Sequence, residues 1–240
     1  MQVRGDNQGV LFQDPKRRGG KRRGAGRKPK GERAGSSHKA RPALAARYPV
    51  HVVLRVVREI GNLRRAASYH AVRTATLVAG RREDFRIVQL SIQRTHIHLI
   101  VEADHKRALT AGMQGFQISA ARHLNAVAGT NGRRRGVVFT DRYHAVIITS
   151  PRQARHTLAY VMGNWRKHGE DRIGAARSWN IDWYSSAISF PHWKECAQSP
   201  WLWRCHETYD PLFVRQPNTW LLGEGWRRHG LISYFEVPFA

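Results

Sequence analysis

Two histidines separated by one residue, His96 and His98, lie in the alternating run Thr95-His96-Ile97-His98-Leu99-Ile100-Val101. Successive strand side chains point to opposite faces, so the two imidazoles share one face while Ile97, Leu99 and Val101 share the other. Neutral imidazoles are common ligands of divalent metals, and a pair fixed on a sheet suits one. Further along, in Ala159-Tyr160-Val161-Met162-Gly163-Asn164, a tyrosine and an amide at helical i, i+4 spacing share a face. Together they read as a nucleophile and a third metal ligand delivered to the histidine strand. A phenol with an ordinary pKa near 10 attacks phosphorus only where a cation or base polarises the site.

Each motif has a plainer reading beside this one. A lone His-x-His also occurs on half-polar sheet faces, and Tyr160 could simply face solvent. Tyr143, in Arg142-Tyr143-His144, is a rival nucleophile, although it lacks an i+4 amide and its place at a strand start suits packing or DNA contact. His192, Cys196, Cys205 and His206 invite a zinc reading, but adjacent Cys205 and His206 do not make the usual ligand pair.

The elements that must position these groups follow from periodicity. Residues 50–57 are rich in β-branched types and read as a strand, and 63–79 as a helix. Residues 85–93 read as a second strand, with Val88, Leu90 and Ile92 on one face and Gln89, Ser91 and Gln93 on the other. It should form a hairpin with the histidine strand, making Ser91 and Gln93 polar neighbours of the metal face. Leu109, Met113, Phe116, Ala120, Leu124 and Val127 recur at helical spacing over 108–127, and 137–149 should hold a further strand. Ser150 then caps a helix, with Pro151 in its first turn and Gln153 completing a capping box. On that helix Ala154, Leu158, Val161, Met162 and Trp165 form the core stripe, and Tyr160 and Asn164 face away from it. Gly163 within it costs about 1 kcal/mol of helix propensity. The order strand, helix, strand, strand, helix, strand, helix predicts an α+β fold: a ferredoxin-like antiparallel sheet with helices on one face, plus one extra helix carrying the tyrosine.

Composition supplies the partner class. The 240 residues carry 41 Lys plus Arg against 17 Asp plus Glu, a net charge of +24. Such a chain attracts a polyanion, and release of phosphate counterions favours nucleic acid over an acidic protein or a membrane. Residues 1–47 are basic, rich in Gly and poor in apolar side chains, and read as a disordered arm. Within it Gly26-Arg27-Lys28-Pro29-Lys30-Gly31 looks like a degenerate AT-hook, with Arg27, Lys28 and Lys30 entering a minor groove; a solubilising tail is the equal alternative. Arg133, Arg134, Arg135 and Arg142, with Arg64 and Arg65, are candidate phosphate contacts. Residues 176–240 read as an irregular extension that holds seven of the eight Trp and a short helix near 220–228. In it, Trp179, Trp183 and Tyr184 are expected to pack on the core in preference to stacking on bases. Two cysteines, no apolar run near the length of about 18 that a bilayer requires and no secretory h-region suggest a cytoplasmic, nucleoid-associated protein with no membrane partner.

His96-Ile97-His98 resembles the HUH motif (histidine, hydrophobic residue, histidine), and Tyr160 with Asn164 resembles the catalytic helix of single-tyrosine HUH transposases. The chain also resembles REP-associated tyrosine transposases, an insertion-sequence-200-like group, with support from 114–125, 139–145 and 160–168. The resemblance covers about 48–170, so 48–175 is taken as the transposase domain. It implies a domain that binds single-stranded DNA beside hairpins, with His96, His98 and Asn164 on Mg2+ or Mn2+. Tyr160 would cut the strand to leave a 5'-phosphotyrosine and a free 3'-hydroxyl, which can later rejoin. The chain departs from the family pattern at Thr95, where Asn or Asp is frequent, and at Asn164-Trp165, where Asn-Pro is frequent. Cleavage by a monomer and by a homodimer both remain open, the latter with the tyrosine helix of one subunit serving the metal site of the other. Two further readings stand beside it: a domesticated hairpin-binding protein that does not cut, and an RNA-binding module on the same sheet type. The strands lack the paired exposed aromatics that the RNA-binding module requires.

Overall fold

The computed structural model describes residues 42–129, 132–197 and 209–238. Four strands, β1 (Val50–Arg55), β2 (Phe85–Ile92), β3 (His96–Ala103) and β4 (His144–Ile147), form one sheet in the order β2-β3-β1-β4. Every neighbouring pair is antiparallel. With α1 (Ala66–Ala79) linking β1 to β2 and α2 (Lys106–Val127) linking β3 to β4, this is the split βαβ arrangement of a ferredoxin-like α+β fold.

Strand alternation divides the apolar residues between two cores. Val50, Val52 and Leu54 of β1, with Ile97, Leu99 and Val101 of β3, pack against Tyr69, Val72 and Ala75 of α1 and Met113, Phe116 and Leu124 of α2. The helices approach the sheet closely: a Cβ on Gly112 would lie 2.2 Å from the Phe85 ring, so only glycine fits there. Val127, expected on this core stripe, is 43% exposed at the last turn of α2. Val88 also departs from expectation. A bulge between Ile87 and Gln89 breaks the alternation of β2, so Leu90 and Ile92 join the first core while Val88 turns to the opposite face.

That opposite face carries α3 (Pro151–Lys167), whose Leu158, Val161 and Met162 pack with Val88 and Ile100 of the sheet. Ser150 Oγ accepts from the Gln153 backbone N–H at 3.2 Å and Pro151 opens the first turn. The glutamine side chain reaches one residue beyond the expected box, accepting from the Thr149 N–H at 2.9 Å. After α3 the chain proceeds through short 3-10 turns and the four-residue α4 (Trp220–Gly223) to a turn ended by Gly230 at φ 85°. Trp193, Leu221, Leu222 and Trp226 from this region cover the outer side of α3. Trp179, Trp183 and Tyr184 are half-buried in a run of ring contacts, the packing role expected of them.

Arg64 ties the region to the sheet. Its guanidinium donates to both oxygens of fully buried Asp182, at 2.9 and 2.7 Å, and to the Ile92 carbonyl at 2.9 Å, and it stacks 4.6 Å over Tyr184. This side chain is therefore a buried structural bridge and not the phosphate contact suggested by its sequence; the adjacent Arg65 is exposed. No helix among the described residues is long and apolar enough to cross a membrane.

Candidate active site

The strand face away from the first core presents a histidine cluster. His96 and His98 project from β3, their rings 4.7 Å apart. The β1 register places Val53 opposite His98 and Arg55 opposite His96 and so brings His51 to the same face two residues away. On the other side Ser91 lies opposite His98, fully buried, and accepts a 2.8 Å hydrogen bond from Gln93 Nε2. The expected polar neighbours of the histidines are thus in place.

α3 lies over this cluster. The Tyr160 ring meets the His98 ring edge-on at 5.3 Å and the His51 ring at 6.0 Å. The Lys167 ammonium sits 5.2 Å over the Tyr160 ring, and His168, just past the helix end, brings its ring to 5.7 Å from His96. Tyr160 is half-buried, and Asn164, one helical turn on, is fully buried. The expected solvent-facing side of this helix is therefore covered, because the sheet lies on one side of α3 and the C-terminal region on the other. Gly163 belongs to that covering: a Cβ there would stand 3.0 Å from the Glu236 carbonyl oxygen and 3.1 Å from Pro238 Cδ. A side chain there would require these neighbours to give way by a few tenths of an ångström.

Burial sets the charge states. His98 is pushed down to about 2 by burial first and then by its His96 and His51 neighbours. His96 falls to about 4 through burial, His168 and Arg55, and His51 to about 4 through burial and His144. All three are neutral near pH 7, with ring lone pairs available to a metal. Burial raises the Tyr160 phenol while the Arg55 charge opposes the rise, so the hydroxyl is protonated at neutral pH.

Several buried polar atoms here have no hydrogen-bond partner among the described residues: His98 Nε2, Gln93 Oε1, and both Oδ1 and Nδ2 of Asn164. Such atoms cost stability unless something binds them. Among the described residues no three His, Cys, Asp or Glu side chains assemble as a metal site. A metal held by the two imidazoles would need a further donor, and the unpartnered Asn164 amide, one helical turn after Tyr160, is the candidate; such a mixed nitrogen and oxygen set would suit Mn2+ or Mg2+. The residues present fit such an ion.

The other expected residues are distributed differently. Tyr143 is 8% exposed within the core on the α1 and α2 side, away from the histidine face, so it is not a nucleophile beside the cluster. Arg133 and Arg135 are exposed at a cavity of about 510 Å3 bordered by Asn125. Arg134 turns inward, donating to Asn125 Oδ1 at 2.7 Å and to the Val137 carbonyl at 3.1 Å, so it shapes the loop that displays its neighbours. Arg142 is exposed just before β4. Arg27, Lys28, Lys30, Cys205 and His206 lie outside the described residues, while His192 Nε2 bonds to Arg227 at 2.7 Å. Sequence reading passed over His51, Arg55 and His168. The first two were accessible in principle: β1 alternation puts them opposite Val52 and Leu54, and the ferredoxin-like order makes β1 the neighbour of β3.

Residues 45–164, half of the chain, match the family model described as IS200-like transposase. No curated protein matches by sequence. Among solved structures, a REP-associated tyrosine transposase bound to a REP hairpin is similar, at 15% identity and a TM-score of 0.49, covering 76% of this chain and 99% of that one. A Deinococcus radiodurans R1 protein assigned as a transposase is similar at 12% identity and a TM-score of 0.36, covering 58% of this chain and 98% of that one.

Proposed function

The chain belongs to the IS200-like transposase family, and from that premise we propose that it cleaves and rejoins single-stranded DNA through Tyr160 in a metal-dependent reaction. The observation that carries this reading is the edge contact of the Tyr160 ring with His98 at 5.3 Å, on an imidazole whose Nε2 is buried without a partner.

His96, His98 and Asn164 would hold Mg2+ or Mn2+. When bound, the ion would neutralise charge on the scissile phosphate and polarise it toward attack. Tyr160 Oη then forms a bond to phosphorus as the bond to the 3' oxygen breaks; the phenol proton leaves and the 3' oxygen gains one. The 5'-phosphotyrosine keeps the phosphodiester energy, so a 3'-hydroxyl can attack it and restore the protonated phenol. Arg55 and Lys167 would add positive charge near the tyrosine, favouring approach of the phosphate, and the Arg55 charge favours loss of the phenol proton.

Arg133, Arg135 and Arg142 are suited to phosphate contacts, and Arg27, Lys28 and Lys30 would add a minor-groove arm. Hairpins of REP type are the substrates to try first, on the strength of the sequence resemblance. The contact of Tyr160 with His98 of its own chain supports a reading in which one subunit supplies both nucleophile and metal ligands. The test is labelled single-stranded hairpin DNA incubated with Mg2+, Mn2+ or chelator. Cleavage is expected only with metal, and it should disappear in Tyr160→Phe and His98→Ala while Tyr160→Phe keeps DNA affinity within about twofold. Cleavage by Tyr160→Phe at the normal rate would refute the proposal, and tight binding without cleavage by the unaltered chain would favour the hairpin-binding alternative.

A further inference from the structure

We propose that His51 is a positioning residue that fixes the ring orientation and tautomer of His98 for metal binding, an inference that rests on the metal-dependent reading above. His51 Nε2 lies 3.1 Å from His98 Nδ1, and with ring centroids 5.3 Å apart and planes 19° from parallel the two imidazoles meet edge to edge, as an in-plane N–H to N bond requires. His98 is 3% exposed, and its other nitrogen, Nε2, has no partner among the described residues.

Two hydrogen placements are possible across a contact between two imidazoles. If His51 donates, His98 carries its proton on Nε2, and a buried N–H is left without an acceptor. If His98 Nδ1–H donates, its Nε2 presents a free lone pair. Only the second arrangement makes His98 a ligand, and it requires His51 to be an acceptor at Nε2 with its own proton on Nδ1. Ligating histidines commonly donate their second N–H to an acceptor that fixes tautomer and orientation, and loss of that acceptor typically lowers metal affinity 10- to 100-fold.

The backbone makes His51 suited to the task. Antiparallel pairing with β3 places it opposite Ile100, on the same face as His98 and diagonal to it, while Val50 and Val52 are anchored in the first core. The Tyr160 ring meets both imidazoles, so the pair lies directly against the tyrosine. A glutamine at position 51 can place an amide oxygen near the position of the imidazole Nε2; alanine cannot.

The test compares the full chain with His51→Ala and His51→Gln, measuring Mn2+ binding by calorimetry and the His98 tautomer by 15N NMR without metal. Expected results are an Nδ1–H tautomer of His98 in the unaltered chain, a 10- to 100-fold weaker Mn2+ affinity in His51→Ala and recovery to within about threefold in His51→Gln. The alanine variant should retain its folded circular dichroism spectrum. Unchanged Mn2+ affinity in a folded His51→Ala, or an Nε2–H tautomer in the unaltered chain, would overturn the inference while leaving the cleavage chemistry standing. Failure of the unaltered chain to bind Mn2+ would overturn both.

Discussion

Asn164 is the residue at which stability and chemistry conflict most plainly. Its side chain is fully buried, and neither amide atom has a hydrogen-bond partner among the described residues. Burying such a group costs on the order of 1–3 kcal/mol, a loss that an apolar side chain of similar size would avoid. Asn164→Leu is therefore expected to raise the melting temperature by about 2–12 °C in the absence of metal while removing metal-dependent cleavage. Thermal unfolding and a cleavage assay on the same preparation check the two halves. A variant that loses stability and keeps full activity would remove Asn164 from the metal's ligand set.

At the scale of elements, close approach explains the glycines better than flexibility does. Gly112 lets α2 settle on Phe85, and Gly112→Ala should cost about 1–3 kcal/mol, read by chemical denaturation, because its Cβ would overlap a ring that has no free side. An unchanged denaturation midpoint would contradict this packing account. Most of the element order was legible because alternation and helical spacing are strong in β1, β3, α2 and α3, and the histidine face followed from one strand's period. The bulge that turns Val88 was not legible, since an extra residue in a strand leaves no local signature in an apolar run. Nor was the burial of Asn164, or the inward turn of Arg64 and Arg134. Each depends on a partner distant in sequence or on a loop closing on itself: the C-terminal region over α3, Asp182 for Arg64, and Asn125 for Arg134. The tyrosine on α3 and the histidines on β3 were recognisable singly; the neighbour that joins them, His51, becomes visible only once β1 is placed beside β3.

For the whole molecule, a net charge of +24 favours attraction of a polyanion, and the proposed function makes the histidine face the place where DNA would react. Arg133 and Arg135 project from a loop held by Arg134, so Arg133→Ala and Arg135→Ala should each reduce the slope of log affinity against log salt by about 0.7–1. Arg134→Ala should instead disturb the loop, weakening binding through displacement of its neighbours. Affinity measured over a salt series separates the cases, and an unchanged slope in both exposed-arginine variants would place the DNA elsewhere. The central claim is that Tyr160 carries the broken strand, and the most direct measurement is tandem mass spectrometry of the trapped adduct after nuclease and protease digestion. A single nucleotide-modified peptide with the phosphate on Tyr160, formed only with divalent metal, is expected. A modified peptide bearing the phosphate on another residue, or strand cleavage with no protein-bound phosphate, would contradict it.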